Sequence, residues 1–114
     1  MKKHYFCLDL KDQPELIETY KKYHQPGGVW PEILQSIQAS GISQMEIFLA
    51  GNRLFMIMEV DENFDMEAKA RANKNDPKVQ EWEELMWKFQ QALPFADEGV
   101  KWVEMEQIFN LNQH

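Results

Sequence analysis

The chain has 114 residues, 44% of them hydrophobic and 27% charged, ordinary proportions for a globular fold and too apolar for a disordered one. Its formal net charge of −7 argues against nucleic acid and anionic membrane as partners, since both are met by a basic footprint. One domain over residues 1–114 is expected. The single Cys7 cannot close an internal disulfide, and no Cys/His spacing reads as a zinc site. Asp9, Lys11 and Asp12 interrupt any apolar leader and no run approaches membrane-spanning length, so a cytoplasmic protein is expected.

Tyr5 to Leu10 reads as a first strand, ended by Asp12 and Pro14. Gln13 to His24 reads as a helix, with Pro14 in its first turn, Glu15 and Glu18 toward its positive end, and Lys21 and Lys22 toward the other. Pro26-Gly27-Gly28 stops it, and a second helix starts at Pro31 and runs to about Ser40, before Gly41. Gln44 to Ala50 and Arg53 to Val60 flank Gly51-Asn52, a two-residue hairpin turn. That turn fixes the register, so Met45, Ile47 and Leu49 share one apolar face with Leu54, Met56 and Met58. Gln44, Glu46, Phe48, Phe55, Ile57 and Glu59 occupy the other. Asn63 to Asn73 and Pro77 to Leu93 read as two more helices, and Val100 to Phe109 as a last strand.

The order is β, α, β, β, α, β, the ferredoxin-like α+β arrangement: one antiparallel sheet with helices on one face. Its other face would leave Phe48, Phe55, Ile57, Trp102 and Ile108 exposed together. A patch of that kind marks an interface. A homodimer that packs two such sheets face to face, giving a dimeric α/β barrel, would cover it.

The chemistry concentrates at Tyr20 and His24, which are four apart and so share a helix face. A histidine beside a phenol can act as an acid/base pair, and its pKa lies near neutrality. The plainer reading of His24 is a helix-terminal residue that complements the helix dipole. Neither His4 nor His114, both near chain ends, carries a comparable argument. Of the tryptophans, Trp82 lies on the sheet-facing stripe of its helix, whereas Trp87 lies about 140° around that helix. Trp82 is therefore the better pocket candidate of the two, with stacking on a sugar ring the functional alternative to core packing, the default for any single tryptophan. Asp9, Glu46, Glu59, Glu104 and Glu106 could fall together on the face away from the helices, yet no calcium-loop spacing makes them a metal site. There is no phosphate-cradling glycine loop, no nucleophile elbow, and no base beside Cys7. What remains is proton transfer on a small molecule without a cofactor, or binding alone.

Several of these residues form a pattern. Tyr20, His24, Trp30-Pro31-Glu32, Gly41, Glu46-Ile47-Phe48-Leu49, Asn52-Arg53-Leu54-Phe55, Trp82, Met86-Trp87-Lys88 and the segment Met105 to Phe109 together make the chain resemble the L-rhamnose mutarotase family over nearly its whole length. The resemblance implies a dimeric ferredoxin-like protein, free of metal and organic cofactor, that interconverts the α and β anomers of a deoxyhexose. It carries the catalytic proton-donor role onto His24 and sugar contacts onto Tyr20 and Trp82. Trp30 and Met45 complete the substrate-binding set expected here. The chain departs from the family pattern at Glu83, where a second consecutive tryptophan is usual, and at Met45, where a sugar-contacting tyrosine is usual. The Pro26-Gly27-Gly28-Val29 loop is longer. These changes surround the expected sugar site, so L-fucose stands beside L-rhamnose as substrate. A non-catalytic sugar-binding dimer and a small cofactor-independent monooxygenase are the competing readings on the same fold.

Overall fold

The computed structural model describes residues 2–114; Met1, the first residue of the domain expected over 1–114, lies outside them. In chain order the elements are β1 (Lys2–Leu10), α1 (Pro14–Tyr23), α2 (Pro31–Ala39), β2 (Ile42–Ala50), β3 (Arg53–Val60), α3 (Met66–Asn75), α4 (Pro77–Trp87), β4 (Gln90–Gln91) and β5 (Val103–Glu104), with a 3-10 turn at Leu111–Gln113. The strands form one sheet in the order β2-β3-β1-β4, with β5 also on β1, and every pairing is antiparallel. This is the ferredoxin-like arrangement expected from the sequence, each crossover filled by two of the four expected helices.

Local chemistry accounts for most boundaries. Pro14, Pro31 and Pro77 occupy first-turn positions of α1, α2 and α4, where the missing N–H costs nothing. The Asp65 carboxylate accepts from the Glu67 and Ala68 amides, and Asp76 does the same for Lys78 and Val79, which caps α3 and α4. Gly51 holds φ +62° in the hairpin turn, a conformation that costs a side chain strain. The register that follows pairs Met45 with Met58, Ile47 with Met56 and Leu49 with Leu54, as the alternation requires.

Helices cover the face carrying Phe6, Leu8, Leu10, Leu54, Met56 and Met58, all buried. Two clusters fill that layer. One joins Leu10, Tyr20, Ile33, Leu54, Val79, Trp82, Met86 and Phe89; the other joins Phe6, Ile42, Met56, Met58 and Val60, and Ile37, Ile47 and Trp102 touch both. On the opposite face lie Tyr5, Phe48, Phe55 and Ile57, with Phe48 51% exposed. Asp9 and Arg53, directly paired across β1 and β3 on that face, make two bonds of 2.7 and 3.1 Å, the bidentate geometry of a guanidinium on a carboxylate.

The C-terminal third departs from expectation. Helix α4 ends at Trp87 instead of Leu93, because the chain turns at Lys88–Phe89 and the Lys11 amide bonds to the Phe89 carbonyl at 2.8 Å. Gln90 then pairs with Leu10 and Gln91 with Asp9. This pairing occupies the outer edge of β1 at Asp9 and Leu10, where Lys101 and Val100 would have to pair. Of the expected strand Val100–Phe109 only Val103–Glu104 pairs, opposite Cys7 and Phe6. One further bond, from the Met105 amide to the Tyr5 carbonyl at 2.7 Å, follows before the chain leaves the sheet. The register also moves two side chains across. Trp102 packs into the helix-covered core, not on the open face, and Glu104 lies on the His4 side, 2.8 Å from its Nδ1. Ile108, 89% exposed, belongs to the departing tail.

Leu54 sits in the centre of the covered layer, whereas α3 buries no side chain. Leu54→Ala is therefore expected to cost ~2–5 kcal/mol in urea unfolding. Asp65→Ala should cost only about 1 kcal/mol through loss of the cap. Equal losses would show that α3 is held by more than its cap.

Candidate active site

The site begins where α1 stops. At the C-cap the His24 amide turns to the Lys21 carbonyl at 3.1 Å, a tightened last turn that leaves the Tyr20 carbonyl without its helical partner. The His24 side chain takes that place, with Nδ1 2.8 Å from the Tyr20 carbonyl oxygen. A carbonyl only accepts, so Nδ1 carries the proton and the neutral ring presents Nε2 as a lone pair. Burial lowers the His24 pKa from its ordinary 6.5, with the bond to the Tyr20 carbonyl opposing the shift. The imidazole is therefore neutral at pH 7, oriented, and able to act as a base.

Tyr20 is buried beneath it, with ring centroids 4.3 Å apart and planes 29° from parallel. Burial pushes its phenol up to about 12, partly offset by a hydrogen bond that Gln90 Nε2 donates to Oη at 3.3 Å. At neutral pH Tyr20 keeps its proton and acts as a donor.

Aromatic rings surround the pair. Trp82, buried on α4, meets His24 edge-on at 5.9 Å between centroids, Tyr23 at 6.1 Å and Trp30 at 5.1 Å. Phe89 closes the other side against Tyr20 and Tyr23. Trp30 arrives from the loop after α1. Gly28 is pressed against α1 there, since a Cβ on it would stand 2.7 Å from the carbonyl oxygens of both Lys22 and Tyr23. That contact brings the long loop back so that Pro31 can start α2 beside α4. Lys78 Nζ lies 5.6 Å from the Trp30 ring.

Of the expected residues, the structure thus brings Tyr20, His24, Trp30 and Trp82 together. Met45 packs against the other core cluster, with Phe6, Ile42, Met56, Met58 and Val60. Glu83 pairs with Lys101, whose Nζ lies 2.7 Å from its carboxylate, and its negative charge helps to raise the Tyr20 pKa; the same ammonium sits 4.9 Å from the Trp87 ring. Trp87 itself is exposed. Gln90 is a polar neighbour that sequence reasoning missed: its spacing fits a continuing helix, and only the pairing with Leu10 turns it beneath Tyr20. The open-face carboxylates do not assemble, and among the described residues no group of three or more His, Cys, Asp or Glu side chains converges as a metal site. Two surface hollows, of about 690 and 480 Å³, lie elsewhere, the first beside His4 and Phe64 and the second between α2 and the α3–α4 turn.

A ferredoxin-like sheet here holds a neutral, oriented imidazole against a protonated phenol and aromatic rings, groups with the chemistry to move a proton on a small, partly apolar molecule. The family model described as L-rhamnose mutarotase matches residues 3–111. An L-fucose mutarotase of Xanthomonas campestris pv. campestris is 47% identical over 108 residues, covering 95% of this chain and 86% of the relative. The chain belongs to the L-rhamnose mutarotase family, and so to a family of isomerases. Among solved structures, the L-rhamnose mutarotase of Formosa agariphila superposes with a TM-score of 0.70 at 24% identity, covering 97% of this chain and 99% of that one. Tetracenomycin F2 cyclase of Streptomyces glaucescens, a type II polyketide cyclase, superposes at 0.64 with 13% identity, covering 96% and 98%. At those identities the two structures speak for the fold alone. Among the described residues no helix is long and apolar enough to cross a membrane.

The seat of Gly28 yields a direct check. Gly28→Ala should cost ~1–3 kcal/mol in urea unfolding, because backbone atoms of α1 would have to shift. The tryptophan emission should change as Trp30 moves off Trp82. An unperturbed spectrum and unchanged stability would mean that the loop is not seated by this contact.

Proposed function

We propose that the chain is a single-domain cytoplasmic mutarotase that interconverts the α and β anomers of a 6-deoxyhexose, with His24 as the catalytic acid/base. The observation that carries this reading is the Nδ1–H bond of His24 to the Tyr20 carbonyl, which leaves Nε2 free for the sugar. The high identity to an L-fucose mutarotase makes L-fucose the first sugar to test, ahead of L-rhamnose.

The chemistry needs only proton movement. His24 Nε2 takes the proton of the anomeric hydroxyl as the bond from C1 to the ring oxygen breaks, giving the open aldehyde. The ring oxygen takes a proton from a second donor, water or the Tyr20 hydroxyl, which recovers it on closure. Rotation about C1–C2 turns the other carbonyl face to that oxygen. Closure reverses the transfers, with the imidazolium returning its proton. Tyr20, protonated at neutral pH, donates a hydrogen bond to the sugar. Trp82 and Trp30 offer ring surfaces to its C–H groups, and Met45 would contribute only from the neighbouring cluster.

His24→Ala should slow anomer exchange of L-fucose by about 10²–10⁴-fold, the usual range for a general acid/base, with the far-UV spectrum unchanged. Exchange spectroscopy of the anomeric protons reads this directly, and a full rate in the variant would sink the assignment. The wild-type rate should rise from acid pH with a midpoint below 6.5 and then stay level through neutrality, because the base must be unprotonated. Stability follows the same sign. The unfolded chain binds the His24 proton more readily, so this contribution is complete above 6.5 and is lost as pH falls through the lowered folded value.

The open sheet face supports a homodimer as the working form. Tyr5, Phe48, Phe55 and Ile57 make an apolar surface there, and a second copy presenting the same surface satisfies a twofold arrangement. Sedimentation should find a dimer for the wild type and a monomer for Phe48→Asp. Two dimers, or two monomers, would remove this part of the proposal.

A further inference from the structure

Gln90 is 5% exposed, and among the described residues its side chain makes one hydrogen bond, from Nε2 to Tyr20 Oη. Its carbonyl oxygen Oε1 is buried with no partner. A buried acceptor left unpaired is costly, and native structures keep few of them. A leucine or methionine would fill this place in the core without that cost, so packing does not account for the amide. Its neighbour is equally unusual. Tyr20 Oη receives the Gln90 N–H, and among the described residues no acceptor takes the Tyr20 proton.

These two facts fit together. A phenol oxygen that accepts an N–H from one side must turn its own proton away from that donor. With Nε2 toward Oη, the Tyr20 proton is therefore directed away from the core amide, and no acceptor among the described residues takes it. The reversed amide would place Oε1 there, capture the proton internally and silence the phenol as a donor. The backbone fixes the approach, because Gln90 is paired to Leu10 in β4 on the floor of the site, while Tyr20 descends from α1 above it.

We propose that Gln90 is a positioning residue that aims the Tyr20 hydroxyl at the substrate, and that its unpaired carbonyl is retained for that purpose. The proposal rests on the mutarotase reading and adds a residue to it: Gln90 works through Tyr20 and does not touch the sugar.

The test is a cycle of Gln90→Met and Tyr20→Phe, assayed by anomer exchange of L-fucose and L-rhamnose alongside thermal unfolding. Methionine keeps the volume and removes both polar atoms. Gln90→Met should lower kcat/KM about tenfold, the factor that one net hydrogen bond supplies. Its Tm should stay close to that of the wild type, since removal of an unpaired buried carbonyl offsets the bond that the buried Tyr20 hydroxyl loses. In the Tyr20→Phe background the same substitution should change the rate less than twofold. A lowered Tm with an unchanged rate would make Gln90 a structural residue and overturn the proposal. Losses that multiply in the double variant would overturn it too, by giving Gln90 a contact of its own with the sugar. A wild-type protein silent on both sugars would instead sink the mutarotase reading, so the two failures cannot be confused.

Discussion

One hydrogen bond organises the site: His24 Nδ1 to the carbonyl of Tyr20, 2.8 Å. Every helix leaves its last carbonyls without backbone partners, and here a side chain from the cap position satisfies one of them. The same bond does three things. It ends α1 in a defined geometry, it fixes the imidazole tautomer, and it lays the imidazole over the Tyr20 ring at 4.3 Å. A histidine at a helix C-terminus is often read as a cation complementing the dipole. Burial reverses that reading, because a ring desolvated by Tyr20 and Trp82 is held below its ordinary pKa and stays neutral. Structural and chemical explanations of His24 are thus consequences of one contact, not alternatives.

The two sheet faces then divide the work. The covered face carries the site: α1 supplies Tyr20 and His24, the Gly28 loop supplies Trp30, α4 supplies Trp82, and the turn into β4 supplies Phe89 and Gln90. Contributions from both crossovers meet only because the sheet order places β4 beside β1, under α1. The open face carries apolar side chains with no helix above them, and on the proposed reading it joins two copies. Arg53 and Asp9 bridge β3 and β1 on that face, so the strands that underlie the site are also clamped from the side opposite to it.

Much of this was legible in the sequence, for reasons that are local. The hairpin register followed from a two-residue turn and alternation, and the helix starts followed from Pro14, Pro31 and Pro77. The pairing of Tyr20 with His24 followed from helical spacing. The C-terminal third was not legible, because its structure is decided by who reaches the edge of β1 first. Phe89 and Leu93, four apart, fit a continuing helix, but the Leu10–Gln90 pairing overrides that periodicity. The errors of face came from the same edge: register on β1 sets the alternation of the last strand, and Glu104 opposite Phe6 puts Trp102 and Glu104 on the covered side. Gln90 was missed for the same reason, since a glutamine in a helix is unremarkable, whereas the same glutamine turned inward beneath a buried phenol is not. Local chemistry spoke clearly wherever one element was enough; competition between elements did not show.

The composition of the cluster also bears on what a mutarotase must avoid. Its two substrates differ only in the configuration at C1, and the open aldehyde lies between them. A site that gripped C1 through several fixed polar groups would favour one anomer and slow the return. Aromatic faces such as Trp82 and Trp30 bind C–H surface without recording which way one hydroxyl points, and so serve both anomers alike. Polar atoms are then needed sparingly, one base at C1 and a donor elsewhere on the ring, which on the proposed reading are Nε2 of His24 and the hydroxyl of Tyr20. On this view the scarcity of polar groups around His24 is a functional requirement. Discrimination between deoxyhexoses must come from positions away from C1, where their hydroxyl configurations differ.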